Sequence, residues 1–158
     1  IRLEIGDIKV DETGDVELTG AIYRGQTVRG EPFEITAEVA RERENGVVDL
    51  SSPTAELRRA DGDVMNVTSI TGVYFPGITE IDLIGDVVIT SRDTGLVMSA
   101  EVIHANLEEG DMKTDRPVRV ENDSSVILAG GMQVTDRGSI IIFTDKPRMT
   151  LHNTGNGS

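Results

Sequence analysis

The second half of the chain lies over the first with its apolar residues and glycines in step. Ile81 falls on Val16, Leu83 on Leu18, Gly85 on Gly20, Val87 on Ile22 and Gly95 on Gly30. After a short gap Leu96 falls on Phe33, Met98 on Ile35, Ala100 on Ala37, Glu101 on Glu38 and Val102 on Val39; further on, Gly110 falls on Gly46 and Pro117 on Pro53. A slip of one residue in a strand turns every side chain to the opposite face, so the matched positions are expected to keep one face inward. Two successive copies of a multi-strand unit, each covering the other's open edge, fit a solenoid-like roll better than a Greek-key sandwich.

Within each copy the local pattern is that of strands. Phe33-Glu34-Ile35-Thr36-Ala37-Glu38-Val39 alternates apolar and polar residues with period two, and Val16 to Gly20, Ile81 to Leu83 and Leu96 to Val102 do the same. Turn residues punctuate these runs: Glu12-Thr13-Gly14, Glu44-Asn45-Gly46, Asp61-Gly62, Pro76-Gly77, Asp93-Thr94-Gly95, Glu108-Glu109-Gly110, Asp136-Arg137-Gly138 and Asp145-Lys146-Pro147. The one competing helical stretch, Glu38 to Glu44, carries no sustained apolar stripe and reads as a strand end entering a turn. The expected fold is all-β, without a helix.

Such a roll has an aliphatic interior. Its inward set is expected to be Phe33, Ile35, Val39, Ile81, Leu83, Val87, Ile89, Leu96, Met98, Val102, Ile127, Met132, Ile140 and Ile142. On periodicity alone this is a core like any other. Two facing sheets with few aromatics can also leave a long apolar space that need not be filled.

Composition narrows the function classes. The 158 residues include 28 acidic and 15 basic side chains, a net charge of −13, which argues against nucleic acid as a partner because phosphate binding needs a basic surface. The absence of cysteine removes disulfides, thiolate nucleophiles and sulfur-ligated metals. His104 and His152, the only histidines, lie in neither a nucleophile-elbow nor a zinc-type context, so no catalytic residue is assigned. No glycine-rich phosphate loop is present, and no cofactor is implied. Asp11-Glu12-Thr13-Gly14-Asp15 and Asp61-Gly62-Asp63 miss the calcium-loop spacing and read as solvated turns, so no metal site is assigned either. The three sequons, at Asn66, Asn122 and Asn156, carry no weight.

Two local features stand out near the carboxy terminus. Gly130-Gly131, between apolar runs, points to a bulge or a close backbone approach, with Gly131 as the position a side chain would spoil. Ile140-Ile141-Ile142-Phe143 is apolar on both parities and is followed by charge and Pro147, the interruption that natural sheet edges use. Ile140, Ile141, Ile142 and Phe143, with Met149 and Leu151, are therefore expected to form a docking edge; Ile1 to Val10 is the other candidate edge. Residues 1–151 are expected to form one domain, and residues 152–158 a disordered tail.

Leu83-Ile84-Gly85-Asp86-Val87, Gly95-Leu96-Val97-Met98-Ser99-Ala100, Lys113-Thr114-Asp115-Arg116-Pro117-Val118 and Ala129-Gly130-Gly131-Met132 resemble, in order and spacing, the periplasmic domain of the LptC family of lipopolysaccharide-export proteins. The resemblance runs from Val16 to Leu151. It implies a twisted antiparallel β-jellyroll that is not an enzyme. It also implies a periplasmic protein held to the inner membrane by an amino-terminal helix that does not occur in this sequence. Its partners would be lipopolysaccharide, an inner-membrane lipopolysaccharide ABC transporter and a downstream periplasmic β-jellyroll bridge protein. The anionic head group would then keep away from acidic patches, near Arg58, Arg59 or Arg148.

Overall fold

Alternating sequences make strands; the residues in the middle of the long strands decide how those strands are arranged. The computed structural model describes residues 2–4, 7–10, 15–135 and 140–152. Among them are sixteen strands and no helix: β1 (Arg2–Glu4), β2 (Asp7–Val10), β3 (Val16–Gln26), β4 (Pro32–Glu42), β5 (Val48–Ser51), β6 (Thr54–Arg58), β7 (Val64–Thr68), β8 (Thr71–Phe75), β9 (Glu80–Ser91), β10 (Val97–Asn106), β11 (Asp111–Thr114), β12 (Val118–Glu121), β13 (Ser125–Ala129), β14 (Gly131–Thr135), β15 (Ile140–Thr144) and β16 (Arg148–Leu151). Every pairing is antiparallel, and hydrogen bonds join all sixteen into one sheet.

Each of the four long strands is shared between two layers. Residues 22–24 of β3 pair with β1 and residues 16–19 with β2; residues 33–36 of β4 pair with β6 and residues 39–42 with β5. In the second copy, residues 88–91 of β9 pair with β7 and residues 80–84 with β8, while residues 97–100 of β10 pair with β12 and residues 104–106 with β11. The sheet is thereby folded along a line into two leaves, named here for Phe33 and Leu83. The short strands come in pairs, one per leaf, and the links between them lie on the same line. Two copies of one unit, β3 to β8 and β9 to β14, make up most of the roll.

At the fold line the strands change face. Buried positions in β4 are Phe33, Ile35 and Ala37, then Ala40; in β10 they are Met98 and Ala100, then Ile103 and Ala105. The step from Ala37 to Ala40 and from Ala100 to Ile103 is three positions instead of two, with exposed Glu38 and Glu101 at the bend. Val39 and Val102, expected inside, therefore face outward and are only partly covered. In β9 the bend takes an extra residue, with Gly85 (φ 86°) and Asp86 (φ 45°) both left-handed. In β3 it takes a single glycine, Gly20 (φ 65°). That difference puts Ala21, and not Ile22, in the place of Val87, and Ile22 lies on the outer face.

Two further expectations change. Val134 and Met132 point inward on β14 and pair with Ile141 and Phe143 of β15, so Ile140 and Ile142, opposite Thr135 and Gln133, belong to the outer face and are 48 % and 47 % exposed. His152, expected in the tail, donates its N–H to the Ser124 carbonyl at 2.7 Å; residues 153–158 lie outside the described part.

Candidate functional site

Antiparallel register carries a single inward row from one end of the Phe33 leaf to the other. Tyr23 pairs with Ile35, Ile35 with Ala55, Ala55 with Val67, Val67 with Ile89, Ile89 with Met98, Met98 with Val120, Val120 with Ile127 and Ile127 with Met149. The Leu83 leaf carries its counterpart, Val48 to Tyr74, Ile81, Ala105, Met112, Val134 and Ile141. The leaves face each other with a stagger, so that Tyr23 of β3 meets Tyr74 of β8 edge-on, ring centroids 5.4 Å apart. There the interior is filled.

Beyond the tyrosines it is not. A narrow cleft with a cavity volume of about 80 Å³ lies between β4, β6 and β7 on one leaf and β9, β10 and β11 on the other. Its walls are Phe33, Ile35, Ala55, Leu57, Met65, Val67, Ile81, Leu83, Ala105, Leu107 and Met112; Glu31, Arg59 and Asp111 stand among its polar residues. A second cleft continues from it past Met65 and Met112 to Ile89, Met98, Leu96, Val134 and Ile141. Arg59 borders both and directs a guanidinium nitrogen at the Met65 sulfur, 3.6 Å away. Together the clefts make an apolar trough along the roll that opens at the margins of the leaves.

Of the residues expected to line it, Phe33, Ile35, Ile81 and Leu83 bound the first cleft, and Ile89, Leu96 and Met98 the second. Val87 and Met132 are buried in the surrounding core, and Ile127 is packed against it. Val39, Val102, Ile140 and Ile142 lie on the outer face, for the reasons given above. Met65, Met112 and Leu57 were not singled out from the sequence, and Ile141 only as part of the docking edge. The methionines sit on strands of five and four residues, too short for a period to stand out.

The turns at the margin of the Phe33 leaf are tied to one another through buried carboxylates. Glu31 accepts the Ala60 N–H at 2.9 Å. Asp63 accepts the Ser91 hydroxyl at 2.6 Å and the Asp93 N–H at 3.0 Å. Burial would raise the Asp63 carboxyl, but these bonds and a further one from the Val64 backbone, with Arg59 nearby, hold it below the ordinary value. Asp61-Gly62-Asp63 is thus an exposed turn, as expected, whose last residue, Asp63, is buried and braces it to the neighbouring turn. No group of side chains able to hold a metal ion occurs among the described residues; residues 11–14 of the other acidic run lie outside them.

Two other positions are set by close contact. A side chain at Gly131 would place its Cβ 2.5 Å from Thr144 Oγ1 and 3.0 Å from the Thr114 carbonyl, so this glycine serves close approach and not a left-handed backbone. On the outer face of the Leu83 leaf, His104 holds Asp82 through Nδ1 at 2.5 Å and Glu80 through Nε2 at 2.6 Å. The bond to Asp82, helped by Glu80 and opposed by partial burial, raises its pKa above the ordinary histidine value. Only the imidazolium can donate at both nitrogens.

At the carboxy-terminal end, among the described residues, β15 pairs only with β14 and β16 only with β13, so both are edge strands there. Ile141 is 37 % exposed, Met149 62 % and Leu151 71 %, while Phe143 packs against the core.

No curated protein sequence matches the chain. Among solved structures it is similar to LptH of Pseudomonas aeruginosa, the LptA homologous periplasmic component of the conserved lipopolysaccharide transport device, with 18 % identity and a TM-score of 0.46 over 97 % of this chain and 94 % of that one. The family model described as lipopolysaccharide-assembly, LptC-related, matches residues 14–151, which takes in the fold line, the trough and both edge strands at its end. This chain belongs to the LptC-related family of lipopolysaccharide-assembly proteins.

Proposed function

We propose that this protein is a lipid-carrying module of a periplasmic bridge: it accepts lipopolysaccharide from an inner-membrane ABC transporter and passes it to the next β-jellyroll protein. The observation that carries the reading is the open apolar trough between the leaves, walled by Phe33, Ile35, Ile81 and Leu83 and then by Ile89 and Met98. Exposing acyl chains to water costs about 0.8 kcal/mol per CH₂, so a continuous trough lets several chains cross an aqueous compartment while the sugars remain outside. Arg59, on the rim of both clefts, is placed for the anionic head group. The edge strands β15 and β16 receive the downstream partner by strand addition, and the amino-terminal end of the roll faces the transporter. No bond is made or broken in this task, and the module works from the periplasm, held at the inner membrane by a helix preceding the roll.

The test is to purify the domain from a Gram-negative host and analyse it intact by mass spectrometry. Co-purified lipopolysaccharide is the expected result. A folded domain that carries no lipid, and takes none up from micelles, would instead support a structural or adhesive β-roll with protein partners only.

A further inference from the structure

The margins of the two leaves form the lips of the trough, and each lip is braced along its own length. On the Leu83 leaf the Leu107 N–H donates to the Thr79 carbonyl at 2.9 Å and the Thr79 hydroxyl to the Glu108 carboxylate at 3.3 Å; the carboxylate braces described above do the same for the Phe33 leaf. Across the gap, among the described residues, one backbone hydrogen bond joins turn to turn: Val28 N–H donates to the Glu108 carbonyl at 2.8 Å. Glu31, three residues beyond Val28, and Leu107, next to Glu108, both border the first cleft, so the bond spans its mouth at the amino-terminal end.

A lipid with its acyl chains in the trough and its head group outside is continuous through the slot between the lips. Moving lengthwise past Val28, it meets this bond. We propose that the Val28–Glu108 contact is a clasp that gates the slot, opening to admit a lipid whose head group rides outside and closing behind it; this rests on the lipid-carrier reading. The clasp is built to open. It is a single bond between turns, and Val28 is 64 % exposed, so breaking it disturbs neither leaf.

The local geometry supplies a clean way to remove it. Gly30 N–H donates to the Thr27 carbonyl at 2.9 Å, which makes Thr27-Val28-Arg29-Gly30 a β-turn with Val28 at its second position, and neither Val28 nor Arg29 has a positive φ. Proline is favoured at that position and lacks the N–H that the clasp uses. Val28→Pro therefore deletes the clasp and keeps the turn. The opposite change, Val28→Cys with Glu108→Cys, adds a lockable bridge to a chain that has no other cysteine.

Uptake of fluorescently labelled lipopolysaccharide from micelles is followed for the wild type, Val28→Pro, and the cysteine pair oxidised and reduced, with circular dichroism as the check on folding. The clasp predicts uptake several-fold faster in Val28→Pro, at least tenfold slower in the oxidised pair, and restored on reduction. Equal rates in all four overturn the gate and leave the carrier reading standing. A wild type that takes up no lipopolysaccharide overturns the carrier reading, and the gate with it.

Discussion

Asp86 and Lys146 occupy the same place in successive copies of the repeat, each the second of two consecutive left-handed residues, with φ 45° and 58°. Around them the pairing is also the same. Thr71 pairs with Ile84 as Gly131 pairs with Thr144, and Val67 pairs with Ile89 as Ile127 pairs with Met149. β15 and β16 are thus the two halves of a third long strand, bent where β9 is bent. The strand that would complete it, as β10 completes β9, is not supplied by the described residues.

Met149 is the last residue of the inward row of the Phe33 leaf, and it is left bare. Met149→Asp is expected to weaken binding to the downstream β-jellyroll protein at least tenfold in a pull-down or titration, because a carboxylate would be buried in the completed row. Thermal stability should hardly move, since the side chain is mostly exposed. Unchanged binding would put the docking edge elsewhere, with Ile1 to Val10 the next candidate.

Gly131 lies against β15. Gly131→Ala should destabilise the fold by about 1–3 kcal/mol through overpacking, read from denaturant unfolding. Thr144→Ala removes the nearer obstacle, Oγ1 at 2.5 Å, but leaves the Thr114 carbonyl at 3.0 Å. The double variant should therefore recover part of the loss and not all of it. Strictly additive effects would show that the two positions do not meet.

The His104 bridge makes stability depend on pH in a defined direction. Its folded pKa is raised above the ordinary 6.5, so its contribution is fully present below that value and fades as pH rises through the folded pKa. Asp82 and Glu80 face it from β9 and Lys113 pairs with it from β11. The difference in melting temperature between wild type and His104→Ala should shrink from pH 6 towards pH 9, and the imidazole should titrate late by NMR. A constant difference would show that the bridge does not depend on the imidazolium.

Tyr74 is fully buried and its hydroxyl has no hydrogen-bond partner among the described residues. Burial pushes its pKa up to about 12. Since an unpaired buried hydroxyl costs free energy, Tyr74→Phe should leave stability unchanged or raise it by up to about 1 kcal/mol. A clear loss would reveal a bound water at this point.

The repeat, the alternation and the turn residues carried the all-β roll and most of one wall of the trough, because inward positions such as Phe33, Ile35, Ile81 and Leu83 lie in long, strongly alternating runs. The change of face at Glu38 and Glu101 was not legible. A fold line reverses parity without any apolar residue to mark it, and that is why Val39 and Val102 were assigned to the wrong side. Ile140 to Phe143 is apolar on both parities, so its period could not decide between faces; Ile140 and Ile142 were placed inside, and the register with β14 turns Ile141 and Phe143 inward instead. That Met65 and Met112 border the same two clefts depends on bringing two short strands far apart in the chain together, which has no local signature.

The central claim is that acyl chains lie between the leaves. A photo-crosslinking residue placed at Leu83 or Met98, 4 % and 3 % exposed inside the roll, is compared with one at Glu101, exposed on the fold line, in cells exporting lipopolysaccharide. The account predicts capture of lipopolysaccharide at Leu83 and Met98 and none at Glu101; equal capture at all three, or capture at Glu101 alone, would contradict it.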